Sequence, residues 1–174
     1  TVNCSGRHFL ESTYLDHIRR TLQNIDLPAE HLVLEVTESL LVEDSSRLDG
    51  LIENLECLHA KVWIDDFGTG YSSLSYLKRF PITTLKIDQS FVADMSSADG
   101  VAIVDAIIVL AKTLNLRSIA EGIETQEQLR HLVQKKCDLL QGYYFARPLY
   151  PEDVPEALRQ NYARDITEAL MDLT

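Results

Sequence analysis

An α/β fold built on a parallel sheet is what this sequence predicts, on three observations. Short runs rich in β-branched and other apolar residues alternate with helical stretches along its 174 residues. Several of these runs, such as "LVLEV", are apolar on both faces, and each run ends in a polar or charged residue. Alternation implies parallel strands joined through helices packed outside the sheet, and runs apolar on both faces suit a sheet covered on both sides. Polar groups at the end of every strand suit a ring in which all strands face one mouth, a TIM-like (β/α) barrel, better than an open sheet with a single crevice.

The elements follow in order. Thr1 to Asn3 reads as the tail of a strand, and Leu32 to Val36 as the second strand. Leu48, Leu51, Ile52, Leu55 and Leu58 recur at helical spacing. Val62 to Ile64 is bounded by a turn and too brief for a helix; Asp65 and Asp66 follow it, where strand gives way to loop, with Gly68 and Gly70 behind them allowing a tight backbone path. Thr84 to Ile87 is the fourth strand, and in "LKIDQ" Lys86 and Asp88 share one face while Leu85 and Ile87 share the other. Val101, Val104, Ile108, Ala111 and Leu114 make a second helical pattern, followed by a strand at Arg117 to Ala120. Thr125 and Gln128 form a T-x-x-Q capping box opening a helix with Leu129, Leu132 and Val133 on one face. Asp138 to Leu140 is the sixth strand, and Pro151 opens a further helix around Val154, Ala157 and Leu158. A closed barrel takes eight strands and about 250 residues. The expectation is therefore a partial barrel over residues 1–160, with about two strands upstream, and a helical tail at 161–174. No low-complexity linker divides the chain.

Apolar content of 45% and charged content of 25% fit a soluble globular domain. A net charge of -11 argues against a surface that tracks long nucleic acid, which needs a basic stripe. It leaves room for a small anionic substrate if bound cations supply positive charge. Cys4, Cys57 and Cys137 are odd in number and include no C-x-x-C pair, so the expectation is free thiols, read as small core residues, in a cytoplasmic setting. The longest apolar run, Val101 to Ala111, is interrupted by Asp105 and is shorter than the roughly 20 residues a bilayer span needs.

The strand ends carry the chemistry. Asn3 closes the first strand, Glu35 lies near the end of the second, Asp65 and Asp66 follow the third, Lys86 and Asp88 end the fourth, Glu121 the fifth and Gln141 the sixth. Around one mouth, Asn3, Glu35, Asp65, Asp66 and Glu121 make a ring of oxygen donors of the kind hard divalent cations prefer. Either aspartate could instead cap a following helix, but one cap needs one carboxylate, and adjacent carboxylates repel unless positive charge lies between them. Two cations about 4 Å apart would resolve this and activate water against a phosphodiester, with Lys86 beside the attacking water or the developing anion. His8, His31, His59 and His131 fall away from the strand ends, so no Ser-His-Asp arrangement is apparent.

The chain resembles the EAL domain family of cyclic di-GMP phosphodiesterases. "VNCSGRHF" resembles its N-x-S segment and "LVLEVTES" its E-x-T-E segment; "DDFGTGYSSL", "LKIDQSFV", "AEGIET" and "QGYYFARPL" follow in family order. The resemblance implies a TIM-like barrel hydrolysing cyclic di-GMP to linear pGpG with two magnesium or manganese ions. Asn3, Glu35, Asp65 and Asp66 would be metal ligands, Glu121 would complete the metal site or take the proton of the attacking water, and Lys86 would position that water. Gln141 and Glu124 would support the site and the nucleotide, with Asp88 as further support. Glu38 would anchor the loop from Phe67 to Ser73, its plainer reading being a cap for the next turn. Arg147 would meet a guanine or phosphate, or be a solvated arginine; Tyr143 and Tyr144 could stack on a base, one of them serving only packing. The E-A-L segment that gives the family its name, and supplies a metal-ligand glutamate, is expected upstream of Thr1. A homodimer and an upstream GGDEF-type or sensor domain are the implied partners. The alternative is a catalytically inactive module that binds cyclic di-GMP as a receptor.

Overall fold

A computed structural model describes residues 1–5, 9, 11, 13–42, 45–70 and 74–159. The chain forms two compact units, one running through Lys86 and one beginning at Ile87.

The first unit opens with β1 (Val2–Cys4), then α1 (Tyr14–Asn24) and a 3-10 turn at Ala29–His31. It continues with β2 (Val33–Thr37), a second 3-10 turn (Glu38–Val42), α2 (Ser45–Leu58), β3 (Lys61–Phe67), α3 (Leu74–Arg79) and β4 (Ile82–Ile87). β1, β2 and β3 are parallel, with Asn3 opposite Glu35, Glu35 opposite Trp63, and Thr37 opposite Asp65. Because alternate residues share a face, Asn3, Glu35, Trp63 and Asp65 project from the same side of the ladder. Leu34, Glu35 and Val36 are all buried, as are Leu85, Lys86 and Ile87, so both faces of these strands are covered, as the apolar runs imply. Phe9, Leu40, Leu55, Leu58, Val62 and Ile64 fill the core.

Two expectations change here. β3 does not stop at Ile64 but runs on to Phe67, because Asp65 still pairs with Thr37 on β2 and the ladder holds a polar sequence extended. Helix α1, which carries Leu15 and Leu22 as buried residues, is not anticipated: its apolar stripe is narrow in an otherwise charged stretch. Cys57 is exposed rather than a core residue, whereas Cys4 is buried; all three cysteines are free thiols.

The second unit contains α4 (Gln89–Ala93), a 3-10 turn (Asp94–Ser96), α5 (Ala98–Thr113), β5 (Arg117–Ala120), α6 (Gln126–Gln134), β6 (Leu139–Leu140) and α7 (Val154–Ala157). β5 and β6 are parallel, Ile119 opposite Leu139 and Ala120 opposite Leu140. The capping box is formed: the Thr125 hydroxyl accepts from Gln128 N–H, and the Gln128 side chain accepts from Thr125 N–H. Ser97 caps α5 by accepting from Gly100 N–H at 2.9 Å, and Val104, Ile107, Ile108 and Ala111 are its buried face. Asp88 is not part of β4: it stands one residue beyond it and caps α4 through Ser90 N–H. Pro151 lies in a turn ahead of α7, and the proline of that helix's first turn is Pro155. The tail expected at 161–174 lies outside the described residues. Among those described, no helix is long and apolar enough to cross a membrane.

Candidate functional site

In the first unit the carboxylates that meet are Glu35 and Asp65. Lys86 Nζ donates to Glu35 Oε2 at 2.7 Å and to Asp65 Oδ1 at 2.8 Å. β2 presents Glu35, β3 presents Asp65 and β4 presents Lys86, so three adjacent segments each contribute one charge. Lys86 and Glu35 are buried, at 5% and 6% exposed, and Asp65 is partly buried. Burial by itself pushes the Glu35 carboxyl up, but hydrogen bonds from Lys86 and Thr1, with nearby positive charge, outweigh it and hold the group below its ordinary value. Asn3 sits beside Glu35 on the neighbouring strand.

Asp66 follows with φ at 52°, and its N–H donates to Asp65 Oδ1 at 3.1 Å. A left-handed residue breaks the alternation of a strand, and the chain turns at once. Thr69 N–H and Oγ1 both donate to the Asp66 carbonyl, at 3.3 and 2.8 Å. Gly68 has φ at 99°, a conformation that needs glycine. Glu38, only 2% exposed, holds this turn: its Oε2 accepts from Gly68 N–H at 2.8 Å and from Gly70 N–H at 3.2 Å. The remainder of the expected loop, residues 71–73, lies outside the described residues.

In the second unit Glu121 is half-buried at the end of β5, its N–H donating to the Ile87 carbonyl at 3.3 Å. Glu124 is exposed, and its N–H donates to Gln128 Oε1, so its backbone belongs to the start of α6. Gln141 is fixed through its backbone, donating to Ala120 O at 2.9 Å and accepting from Ile123 N–H at 3.1 Å. A cavity of about 580 Å³ opens beside it, lined by Leu140, Gln141, Tyr143, Phe145, Arg147 and Pro148 among others. The Arg147 guanidinium lies 4.8 Å from the centre of the Tyr143 ring, while Tyr144 packs edge-on against Phe145. Of the two tyrosines, the cavity is therefore lined by Tyr143. Gly142 has no room for a side chain, since a Cβ there would stand 2.1 Å from the Ile123 carbonyl oxygen.

Trp63 is the site neighbour that motif reading passes over. It is the register partner of Glu35, and strand alternation from Asp65 is the signal that places it on the same face.

Among the described residues no three acidic, histidine or cysteine side chains are spaced to hold a metal ion as they stand. The donor chemistry nonetheless fits a hard divalent cation: one buried and one partly buried carboxylate converge on one positive charge, with an amide side chain on the adjacent strand.

Comparison with known proteins gives a consistent picture. The family model described as EAL domain matches residues 1–148. The chain is 42% identical over 154 residues to the bifunctional diguanylate cyclase/cyclic di-GMP phosphodiesterase MucR of Pseudomonas aeruginosa, covering 88% of this chain and 22% of MucR. It is 43% identical over 159 residues to the cyclic di-GMP phosphodiesterase NbdA of the same organism, covering 91% of this chain and 20% of NbdA. The chain thus spans about a fifth of the length of these curated relatives. Among solved structures, the PaMucR phosphodiesterase in complex with c-di-GMP matches with a TM-score of 0.84 at 42% identity, over 88% of this chain and 62% of that one. The fold is accordingly the α/β, TIM-like one expected from the sequence, with six strands among the described residues.

Proposed function

Because this chain belongs to the EAL domain family, we propose that it is part of a metal-dependent phosphodiesterase that opens cyclic di-GMP to linear pGpG in bacterial second-messenger signalling. The observation that carries the reading is the Lys86 ammonium held between the Glu35 and Asp65 carboxylates. Carboxylates so converged would attract cations, with a donor beside them. The likeness to relatives named as cyclic di-GMP phosphodiesterases supports the substrate.

Glu35 and Asp65, with Asn3, Asp66 and Glu121, would hold two Mg²⁺ or Mn²⁺ ions. Bound divalent cations supply a lowered water pKa and positive charge against the phosphodiester oxygens. Lys86 would orient the attacking water through its ammonium, and Glu121 would either complete the metal site or take the proton that water loses. Gln141, Arg147 and Tyr144 would bind the guanine and phosphate groups; that Tyr143 rather than Tyr144 lines the cavity beside Gln141 supports Tyr143 as the tyrosine that stacks on a base. Glu38 pins the turn that follows Asp66, and Glu124 and Asp88 brace the segments behind the binding groups. The activity is assigned to the cytoplasm, where free thiols are the norm. The partners proposed for the whole protein are a second copy of this domain and an upstream GGDEF-type or sensor domain. The barrel domain is assigned to residues 1–160.

Chromatographic conversion of cyclic di-GMP to pGpG tests this, with Mg²⁺, Mn²⁺ or EDTA, for the full-length protein that carries this chain, for its Asp65→Asn variant and for this chain alone. Turnover should require the metal and be abolished by Asp65→Asn while thermal stability changes little. Near-full hydrolysis by Asp65→Asn, or turnover in EDTA, would remove the metal assignment. Nucleotide binding with no turnover under any condition would leave a receptor in its place.

A further inference from the structure

We infer that Lys86 is an internal counter-ion of the metal-binding carboxylates, standing between Glu35 and Asp65 and yielding them to a divalent cation. The inference rests on the metal-binding reading above. A lysine that only positions a water needs one fixed contact. Lys86 makes at least two, to carboxylates on two different strands, at 2.7 and 2.8 Å. It reaches them through a side chain that is itself only 6% exposed.

Charge balance gives the reason. Two carboxylates within reach of one ammonium, Glu35 buried and Asp65 partly buried, repel one another, and the ammonium between them relieves that repulsion. The charge on Lys86 offsets part of the repulsion between Glu35 and Asp65 and keeps the two carboxylates converging. A lysine suits the position because its charge is compact and sits on a flexible four-carbon stem, which can withdraw without rebuilding the strand that carries it. An arginine fork would lock both carboxylates in place. The same contacts set a cost on metal entry, because a cation must share or displace the ammonium. Lys86 therefore keeps the carboxylates in position before the cation arrives and weakens the cation's hold afterwards.

Melting curves of the full chain, its Lys86→Met variant and the Asp65→Asn/Lys86→Met double variant, in EDTA and in saturating Mn²⁺, test this alongside calorimetric titration with MnCl₂. In EDTA, Lys86→Met should melt about 10 °C below the parent chain, as expected for a buried ion pair stripped of one partner. Mn²⁺ should restore most of that gap, and Lys86→Met should bind Mn²⁺ about tenfold more tightly than the parent. The double variant, with one charge removed from each side, should regain stability in EDTA. A Lys86→Met variant that melts with the parent in EDTA overturns the inference, as does a loss that neither Mn²⁺ nor the second substitution recovers. If Lys86→Met does not fold, a double variant that also fails to fold counts against it. Equal Mn²⁺ affinity in parent and variant removes the counter-ion role alone; absence of Mn²⁺ binding by the parent chain removes the metal reading itself.

Discussion

Asp66 sits at φ 52°, where an L side chain costs roughly 1–2 kcal/mol and glycine is at ease. That strain at a position next to the site carboxylate Asp65 separates two roles that a simple truncation would confuse. Replacing Asp66 by glycine should leave stability within about 1 kcal/mol of the parent in urea titrations, while hydrolysis of cyclic di-GMP falls about 100-fold or more. A loss of several kcal/mol with activity retained would make the carboxylate structural. Glu38 presents the opposite case. Its buried oxygen serves two backbone donors, Gly68 and Gly70, so Glu38→Ala strands both and should cost about 2–3 kcal/mol. Glu38→Gln keeps an acceptor oxygen and should cost about 1 kcal/mol, the difference being readable in the same urea titrations.

Among the elements, α5 and α6 are tied by one carboxylate. His131 Nε2 lies 2.7 Å from Asp105 Oδ1, and Lys135 Nζ donates to Asp105 Oδ2 at 2.5 Å. Burial pushes the Asp105 carboxyl up, but the hydrogen bonds from Lys135 and His131 outweigh it and lower its pKa. A carboxylate with a lowered folded-state pKa contributes stability that is fully present above the unfolded value of about 4 and is lost as pH falls through the lower folded value. Asp105→Asn should therefore destabilise the protein at pH 6, and the gap between variant and parent should close on acidification below the ordinary carboxylate range. Equilibrium unfolding at stepped pH reads this directly. Thr125→Ala, which removes one half of a formed capping box, should cost about 1 kcal/mol at any pH in that series. The capping box was legible because its residues act on their own backbone neighbours. The Asp105 tie was not, since its partners are 26 and 30 residues away in sequence. The same contrast explains β3: local composition reads Asp65 as loop, and only its pairing with Thr37 on β2 keeps it extended.

For the whole molecule, the strand–helix order and the strand-end polar residues were legible from periodicity alone, since both record which faces are buried. The partner of each strand-end charge was not. Spacing places Lys86, Glu35 and Asp65 at one end of the sheet, but the sharing of one ammonium depends on inter-strand register, which no local pattern encodes. Register also decides what the sheet exposes. Among the described residues β1 pairs with β2, and β6 with β5; Val2 on β1 is 48% exposed and Leu139 on β6 is 37% exposed. Apolar edges of this kind invite pairing with another chain. Within the first unit, the short segments 35–38 and 65–70 are stitched together twice, through Lys86 and through Glu38. The two stitches make the Gly68 and Gly70 amide protons a gauge. Their NMR shifts and exchange rates should register the filling of the carboxylate pair before any product is formed, so occupancy can be followed in a protein that never turns over.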